Sequence, residues 1–161
     1  MLLPEPDQTI ICRRDEIISA LKRFVPAGAV IDDDTTMAAY DTDGLSAYRN
    51  QPLVVVLPET TQQVAAVMKW CRDNDVKIVP RGAGTSLSGG AIPLADGVLL
   101  GLGKFNQILD IDFINRTVTA QPGVTNLGIT QAVQDEGFYY APDPSSQIAC
   151  SIGGNICLLY T

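Results

Sequence analysis

The sequence predicts an α+β fold, and three observations support that prediction. An apolar run between prolines (52–58) is followed by a helical pattern (60–74) and a short apolar run (76–79). This order favours a parallel βαβ unit with a right-handed crossover. Residues 108–121 alternate apolar and polar side chains around a central turn, which is typical of an antiparallel hairpin. An eleven-residue segment, 80–90, holds four glycines and comes directly after the second strand.

The amino-terminal part of the chain is predicted to be a helical extension covering residues 1–48. Residues 14–25 place apolar side chains at helical spacing, and Pro26 and Gly28 indicate where that helix ends. Asp32–Asp34 are interpreted as a solvated turn with an N-cap for a short helix, because adjacent carboxylates do not converge on one point. The apolar positions of the longer helix are Ile17, Ile18, Leu21, Phe24 and Val25.

Residues 49–161 are predicted to form the main domain, with the strands and helix already described at its start. A further buried strand is expected at 97–102, and the hairpin turn at Asn115 and Arg116. A helix then spans about 126–135. The rest of the domain is predicted to be an extended segment at 139–146 and a second loop of small residues at 150–155.

The composition excludes several classes of function. The chain has 161 residues, 46% hydrophobic and 18% charged, and a formal net charge of −7, with no basic stripe. An acidic chain of this kind argues against a nucleic-acid partner, because phosphate backbones need Lys and Arg. The sequence contains no histidine, which excludes Ser-His and Cys-His nucleophiles and histidine metal ligands within these residues.

The cysteines and the amino terminus give expectations about redox state and location. None of the four cysteines forms a C-x-x-C pair, so reduced thiols are expected and no metal site. No apolar run approaches the ~20 residues needed to span a bilayer. The amino terminus lacks a basic region followed by a long apolar one, so no signal peptide is expected. We therefore expect a cytoplasmic protein without direct membrane insertion, peripheral to the inner face of the membrane only through partner subunits.

The glycine-rich segment 80–90 is the strongest functional signal. Glycine is costly in folding and is used where backbone takes positive φ or approaches a ligand closely. Several N–H groups directed at one point are suited to an anion such as phosphate. A P-loop would need a lysine, and none lies between Lys77 and Lys104. A Rossmann fingerprint would need a third glycine and a following helix, and Leu87 stands at the third position.

The segment resembles the pyrophosphate loop of flavoproteins of the vanillyl-alcohol oxidase and p-cresol methylhydroxylase (PCMH) type. More closely, several segments in order are similar to the FAD-binding subunits of bacterial glycolate dehydrogenase (glycolate oxidase) and the related D-lactate dehydrogenases. These segments are Tyr40, 43–49, 52–58, 80–90, 121–124, 139–147 and 150–155. The resemblance implies the first sub-domain, and part of the second, of the PCMH-type FAD-binding fold.

The resemblance also implies roles for individual residues. The backbone of Arg81 to Leu87 would hold the FAD pyrophosphate, Pro122 and Gly123 would line the nucleotide, and later residues would lie toward the flavin. The implied FAD-binding residues are Arg81, Gly82, Ala83, Gly84, Thr85, Ser86, Leu87, Gly90, Pro122, Gly123, Pro142, Asp143, Ser146, Ser151, Gly153, Gly154 and Asn155.

Several of these residues admit two interpretations. Arg81 either adds positive charge to the loop or is a surface arginine beside it. Asp143 is either a turn carboxylate or a hydrogen-bond acceptor. Tyr139 and Tyr140 could stack near the cofactor, although one of the two is expected in the core. Cys150 is expected to be a small packing residue and not an attachment point for flavin.

For the whole protein, the resemblance implies FAD-dependent oxidation of a small 2-hydroxy acid, glycolate or D-lactate. Hydride would pass to the flavin and electrons onward to a partner redox subunit; a second flavin-type subunit and an iron–sulfur subunit are the expected partners. Two alternatives stay open: a non-catalytic FAD-binding subunit that serves assembly, and a truncated, inactive product.

The resemblance stops after Asn155. Relatives of this kind are considerably longer, and a run of small residues follows the Gly-Gly-Asn sequence in them. The chain is therefore expected to be an amino-terminal fragment that is inactive alone, and no catalytic residue can be assigned. Apolar runs without partners would leave exposed patches, so marginal stability and weak flavin affinity are expected.

Overall fold

The computed structural model describes residues 4–142 and 145–158, and for residues 157 and 158 the backbone alone. The helices of the described chain are α1 (Gln8–Cys12), α2 (Arg14–Leu21), α3 (Asp34–Met37), α4 (Thr61–Asp73), α5 (Asn126–Val133) and α6 (Ile152–Leu158), with 3₁₀ turns at Ala38–Tyr40 and Gln134–Glu136. The strands are β1 (Val30–Ile31), β2 (Val54–Val56), β3 (Lys77–Arg81), β4 (Gly97–Gly101), β5 (Ile108–Asp112) and β6 (Thr117–Ala120).

The main sheet has the strand order β1-β2-β4-β3. Strands β2, β4 and β3 are parallel, and β1 is antiparallel to β2. The predicted strand–helix–strand unit is present, but β4 lies between its two strands. Every residue of β4 is buried, as expected for the central strand of a covered parallel sheet.

The side-chain alternation of β2 divides the core into two layers. Val54 and Val56 face α2 and α4, where they pack with Val67 of α4 in the larger apolar cluster. Val55 faces the opposite side and packs with Met37 of α3 in the smaller cluster. Successive strand residues point to opposite faces of a sheet, so the sheet is covered on both sides.

The N-cap predictions for α3 and α4 are confirmed. The side chain of Asp33 accepts a hydrogen bond from the N–H of Thr36. Thr60 accepts one from the N–H of Gln63, whose side chain in turn accepts one from the N–H of Glu59. The second arrangement resembles a capping box shifted by one residue, and it fixes where α4 begins after β2.

The predicted hairpin is also confirmed. Strands β5 and β6 form a separate two-stranded antiparallel sheet in which Ile111 pairs with Val118. Arg116 has a φ of +57° in the turn. The Asp112 carboxylate accepts hydrogen bonds from the backbone and side-chain N–H groups of Asn115, which stabilises this tight turn.

Two predicted boundaries were wrong. The strand expected at 76–79 continues to Arg81, so Pro80 and Arg81 belong to β3. This is compatible with proline because β3 is an edge strand of the sheet. The helix expected at 14–25 ends at Leu21.

The prediction of a small-residue loop at 150–155 was also wrong, because α6 begins at Ile152. Ser151 forms an antiparallel bridge with Thr125, and the N–H groups of Ile152 and Gly153 donate to the carbonyls of Val124 and Pro122. These bonds satisfy N–H groups that a helix start leaves without intrahelical partners. The unfavourable glycines are therefore accommodated by tertiary contacts, not by helix propensity.

The amino-terminal residues pack directly on the main sheet. Ile17 and Leu21 of α2 are fully buried in the larger core cluster, and β1 extends the sheet beside β2. The domain boundary at residue 48 stays a prediction. In the described residues no helix combines the length and apolar character that crossing a membrane would require.

Candidate functional site

The glycine-rich segment lies where a ligand crevice is expected in a parallel sheet. It leaves β3 at the strand's carboxyl end, and the chain then returns to begin β4. Ligands of open α/β sheets bind outside the carboxyl ends of the strands. A cleft of about 460 Å³ is found here, with Tyr40, Arg81 and Ala83 among its lining residues.

The backbone of this segment is arranged as a set of free donors. Among the described residues, none accepts a hydrogen bond from the backbone N–H groups of Gly82 to Leu87. Ser88 begins the bonded part of the segment, since its N–H donates to the Ser86 hydroxyl at 3.1 Å. Unpaired N–H groups in a turn are typical of an anion-binding nest.

Gly82 brings the glycine segment against the start of α6. A Cβ atom on Gly82 would collide with the Ser151 Oγ and would lie 3.9 Å from the Gly154 N. Ser151 is 4% exposed, and its Oγ is the buried side-chain N or O atom that lacks a hydrogen-bond partner in the described structure. A buried hydroxyl without a partner is costly, so this atom is suited to a ligand.

Arg81 lies between the glycine segment and Tyr40. Its Nη1 donates to the Tyr40 carbonyl oxygen at 3.0 Å, and its guanidinium lies 5.8 Å from the Tyr40 ring centre. Gly84 has a φ of +69°, and a Cβ atom there would lie 2.5 Å from the Arg81 Nη2. Burial lowers the pKa of the guanidinium, opposed by the charge of Asp43, yet arginine stays charged in proteins.

A second contact brings Pro122 and Gly123 to the same region. The Gly123 N–H donates to the Phe105 carbonyl at 2.6 Å, and a Cβ atom on Gly123 would lie 2.5 Å from the Leu102 carbonyl oxygen. A Cβ atom on Gly153 would lie 2.6 Å from the Pro122 Cβ. Glycine is therefore required at 123 and 153 by close backbone approach.

A buried amide pair connects three of the predicted segments. Asn126 donates through Nδ2 to the Pro142 carbonyl at 3.0 Å, and its Oδ1 accepts from Asn155 Nδ2. Asn155 Nδ2 also lies 3.6 Å from Cys150 Sγ. Sequence reasoning missed Asn126; the available signal was an amide placed directly after Thr125, the N-cap of α5.

The structure brings most of the predicted residues into one region. Gly82 contacts Ser151 and Gly154, Pro122 contacts Gly153, and Pro142 is connected to Asn155 through Asn126. Ser146 lies in a turn, where its carbonyl accepts from the N–H groups of Ala149 and Cys150.

Other predicted residues are less tightly held. Leu87 is 76% exposed, and nothing lies within 4 Å of a Cβ atom built on Gly90. Tyr139 is exposed, whereas Tyr140 is half-buried and its N–H donates to the Thr130 hydroxyl. Asp143 lies outside the described residues.

The cysteines and carboxylates of the described chain give no metal site. No group of three or more Cys, Asp or Glu side chains there could hold a metal ion. Cys12, Cys71 and Cys150 are free thiols. Burial raises the pKa of the Cys71 thiol to about 11, which makes it unreactive at neutral pH.

A larger apolar cavity of about 700 Å³ lies between the β5–β6 hairpin and helices α5 and α6. Phe113 and Phe138 form part of its wall, with ring centres 5.6 Å apart. Pro122 and Gly153 line it as well. The cavity therefore adjoins the region where the predicted residues meet.

Comparison with known proteins identifies the family of the chain. A family model described as "FAD binding domain" matches residues 52–157. The chain is 51% identical to the glycolate oxidase subunit GlcD of Escherichia coli K12, over 96% of this chain and 30% of that protein. It is 34% identical to the D-2-hydroxyglutarate dehydrogenase of Stutzerimonas stutzeri, over 87% of this chain and 30% of that protein.

The solved structures that are similar have the same type of fold. A p-cresol methylhydroxylase with bound substrate matches 97% of this chain and 31% of its own, with a TM-score of 0.78 and 21% identity. An alkyldihydroxyacetonephosphate synthase matches 96% of this chain and 30% of its own, with a TM-score of 0.78 and 21% identity. The predicted PCMH-type fold is thus confirmed. The chain spans about 30% of the length of these two curated relatives.

Proposed function

This chain belongs to the FAD binding domain family, and from that premise we propose that it is the FAD-binding part of an oxidoreductase acting on small 2-hydroxy acids. Its cofactor is FAD. The observation that carries the proposal is the run of free N–H groups from Gly82 to Leu87 beside the unpartnered Ser151 Oγ. Together these donors are suited to a pyrophosphate.

The residues present fit such a cofactor. The backbone from Gly82 to Leu87 would hold the pyrophosphate oxygens, and the Ser151 hydroxyl would find there the partner it lacks in the protein. Arg81 would add positive charge from beneath the loop without leaving Tyr40. Pro122, Gly123 and the start of α6 would line the rest of the dinucleotide. FAD, when bound, supplies the two-electron acceptor, and this chain's part is to bind and orient it.

The substrate class is supported by the names of the relatives. They are described as a glycolate oxidase subunit, D-2-hydroxyglutarate dehydrogenases and a D-lactate dehydrogenase. All three substrates are small 2-hydroxy acids. The word "subunit" in the first name supports a multi-subunit enzyme. We propose that electrons pass from the flavin to a partner redox subunit, and that a second flavin-type chain and an iron–sulfur chain are the partners. We place this enzyme in the cytoplasm, with any membrane association through its partners.

Anaerobic flavin reduction tests the proposal. The protein encoded by the complete reading frame that contains these residues is loaded with FAD and mixed with glycolate, D-lactate or D-2-hydroxyglutarate. We expect loss of the visible flavin absorption with at least one of these acids. Bound FAD that none of them reduces would contradict the enzymatic proposal and favour a non-catalytic FAD-binding subunit. L-lactate serves as the stereochemical control.

A further inference from the structure

Asn126 is the most buried polar side chain among the described residues, at 1% exposed. It stands at the first position of α5, directly after the N-cap Thr125. A buried amide needs hydrogen-bond partners for both its oxygen and its nitrogen. The identity of those partners therefore indicates what this residue does.

Its two partners belong to two different segments of the chain. Asn126 Nδ2 donates to the Pro142 carbonyl at 3.0 Å, in the stretch that follows α5. Asn126 Oδ1 accepts from Asn155 Nδ2, which lies in the first turns of α6. Asn155 is itself 7% exposed, and Cys150 Sγ lies 3.6 Å from its Nδ2. One side chain thus connects the segment that follows α5 in the sequence to the start of α6.

Other hydrogen bonds in the described residues also join this region, among them the one from the Leu127 N–H to the Gln147 carbonyl at 3.2 Å. The bridge between Thr125 and Ser151 and the bonds from Ile152 and Gly153 fix the backbone of α6 against residues 122–125. The backbone near Pro142 is held to α5 by Asn126 and by the bond from the Tyr140 N–H to Thr130. Asn126 and Asn155 together form a side-chain connection from the Pro142 carbonyl to α6.

We propose that the Asn126–Asn155 amide pair is a positioning element for FAD: it sets the spacing between the Pro142 segment and the start of α6, two walls of one cofactor site. The inference rests on the proposed function, because those two segments matter only if the dinucleotide lies between them. Neither amide needs to contact the cofactor, since both are buried in the protein. Their effect is indirect, through the backbone that they hold.

The Asn126→Asp variant gives this proposal a specific signature. A carboxylate would place an acceptor where Nδ2 now donates, so it would repel the Pro142 carbonyl oxygen 3.0 Å away. A neutral carboxylic acid can still accept from Asn155 and donate to Pro142, as the amide does. Burial raises the pKa of a carboxyl group, so the neutral form is accessible in mildly acidic buffer. Among the residues that the structure describes, the Cys150 thiol is the ionisable group in contact with the pair.

The experiment measures FAD affinity of the chain by fluorescence titration at pH 8 and pH 5.5, with far-UV circular dichroism at each pH. Between the two pH values, the FAD affinity of the Asn74→Asp variant should change by the same factor as the FAD affinity of the unmodified chain. Asn126→Asp should bind FAD at least about tenfold more weakly than the unmodified chain at pH 8 and recover most of that loss at pH 5.5. The visible circular dichroism of bound flavin should recover in parallel.

Asn74 is a matched control, because its Nδ2 also donates to a backbone carbonyl and its Oδ1 also accepts from another side chain. It lies after α4, at the opposite end of the sheet from the glycine segment. If Asn126→Asp is folded at both pH values and binds FAD as the unmodified chain does, the positioning role is overturned. If the unmodified chain itself binds no FAD at saturating concentrations, the proposed FAD site is wrong, and the positioning role is wrong with it.

A second variant covers the case in which Asn126→Asp does not fold. Asn155→Ala removes one member of the pair and leaves the bond between Asn126 and Pro142 available. We expect weaker FAD binding and an altered flavin spectrum, with partial rescue by Asn155→Ser. Unchanged affinity in Asn155→Ala would contradict the proposal.

Discussion

At the scale of single residues, Gly82 shows why the glycine segment uses glycine where it does. A Cβ atom at this position would collide with the Ser151 Oγ, so a side chain there would displace either the loop or the Ser151 hydroxyl. Gly84 is required for a different reason, since its φ is +69° and Arg81 lies beneath it. The same residue type thus serves close approach at one position and backbone conformation at another.

Gly82→Ala should weaken FAD binding by about tenfold or more, because the new methyl group displaces the loop and the Ser151 Oγ from a shared ligand. The measurement is an FAD titration of the two chains. Gly90→Ala is the comparison, since its Cβ would meet nothing within 4 Å. It should lose several times less affinity than Gly82→Ala. Equal losses of affinity in the two variants would mean that FAD binding depends on the flexibility of the loop and not on its contact with Ser151.

At the scale of elements, Asp96 connects the amino-terminal segment to the edge of the sheet. Its carboxylate is 2% exposed and accepts hydrogen bonds from Lys77 Nζ at 2.6 Å and from the Asp7 N–H at 2.8 Å. Burial raises the pKa of this carboxyl, but the bonds from Lys77 and Asp7 hold it below its usual value. The carboxylate therefore joins the start of β3, the turn before β4 and the cap of α1.

Asp96→Asn should lower the free energy of unfolding by about 1.5–3 kcal/mol at pH 7, the usual contribution of hydrogen bonds to a charged group. Because the folded-state pKa is lowered, this stabilisation is complete above the unfolded pKa of about 3.9. It is lost as pH falls through the folded-state pKa.

Urea unfolding at pH 7 and pH 3 measures this effect, and the difference between the two proteins should shrink at pH 3. Glu59→Gln serves as the control, because the Lys104–Glu59 pair is 44% exposed on both sides. It should change stability by less than about 1 kcal/mol. A pH-independent difference for Asp96→Asn would argue against the ionic explanation.

At the scale of the whole molecule, the two sheets differ in how well they are covered. The main sheet is buried on both faces. The hairpin is a separate two-stranded sheet beside the 700 Å³ apolar cavity, and Ile114 in its turn is 93% exposed. Isolated two-stranded sheets are marginally stable in water. Apolar surface of this extent suits a chain that spans about 30% of its relatives' length.

The purified 161-residue chain should therefore carry FAD well below a one-to-one ratio. The hairpin side, Pro122 and α6 form one half of the proposed site. That half is poorly covered by the rest of the chain. Visible absorption of the purified chain gives the FAD concentration, and protein absorbance gives the chain concentration. The ratio of the two is the flavin content. Near-stoichiometric flavin after purification would refute this expectation and would mean that these residues suffice to retain the cofactor.

Local patterns were enough to predict much of the fold. The proline-bounded run around β2, the capped helix α4 and the alternating hairpin were confirmed because each is specified by neighbouring residues. The glycine segment lies at the carboxyl end of β3, as its position after an apolar run predicted. The patterns failed at α6, where Gly153 and Gly154 indicate a loop, yet bonds to Pro122 and Val124 stabilise a helix.

Residues close together in the chain were enough to predict most of the element types, the glycine segment and the resemblance to FAD-binding proteins. The tertiary structure alone decided that β4 lies between β2 and β3, that Ser151 meets Gly82, and that Asn126 connects Pro142 to Asn155. These contacts join residues far apart in sequence. No local pattern encodes them, because they arise from the burial of whole strands and helices against each other.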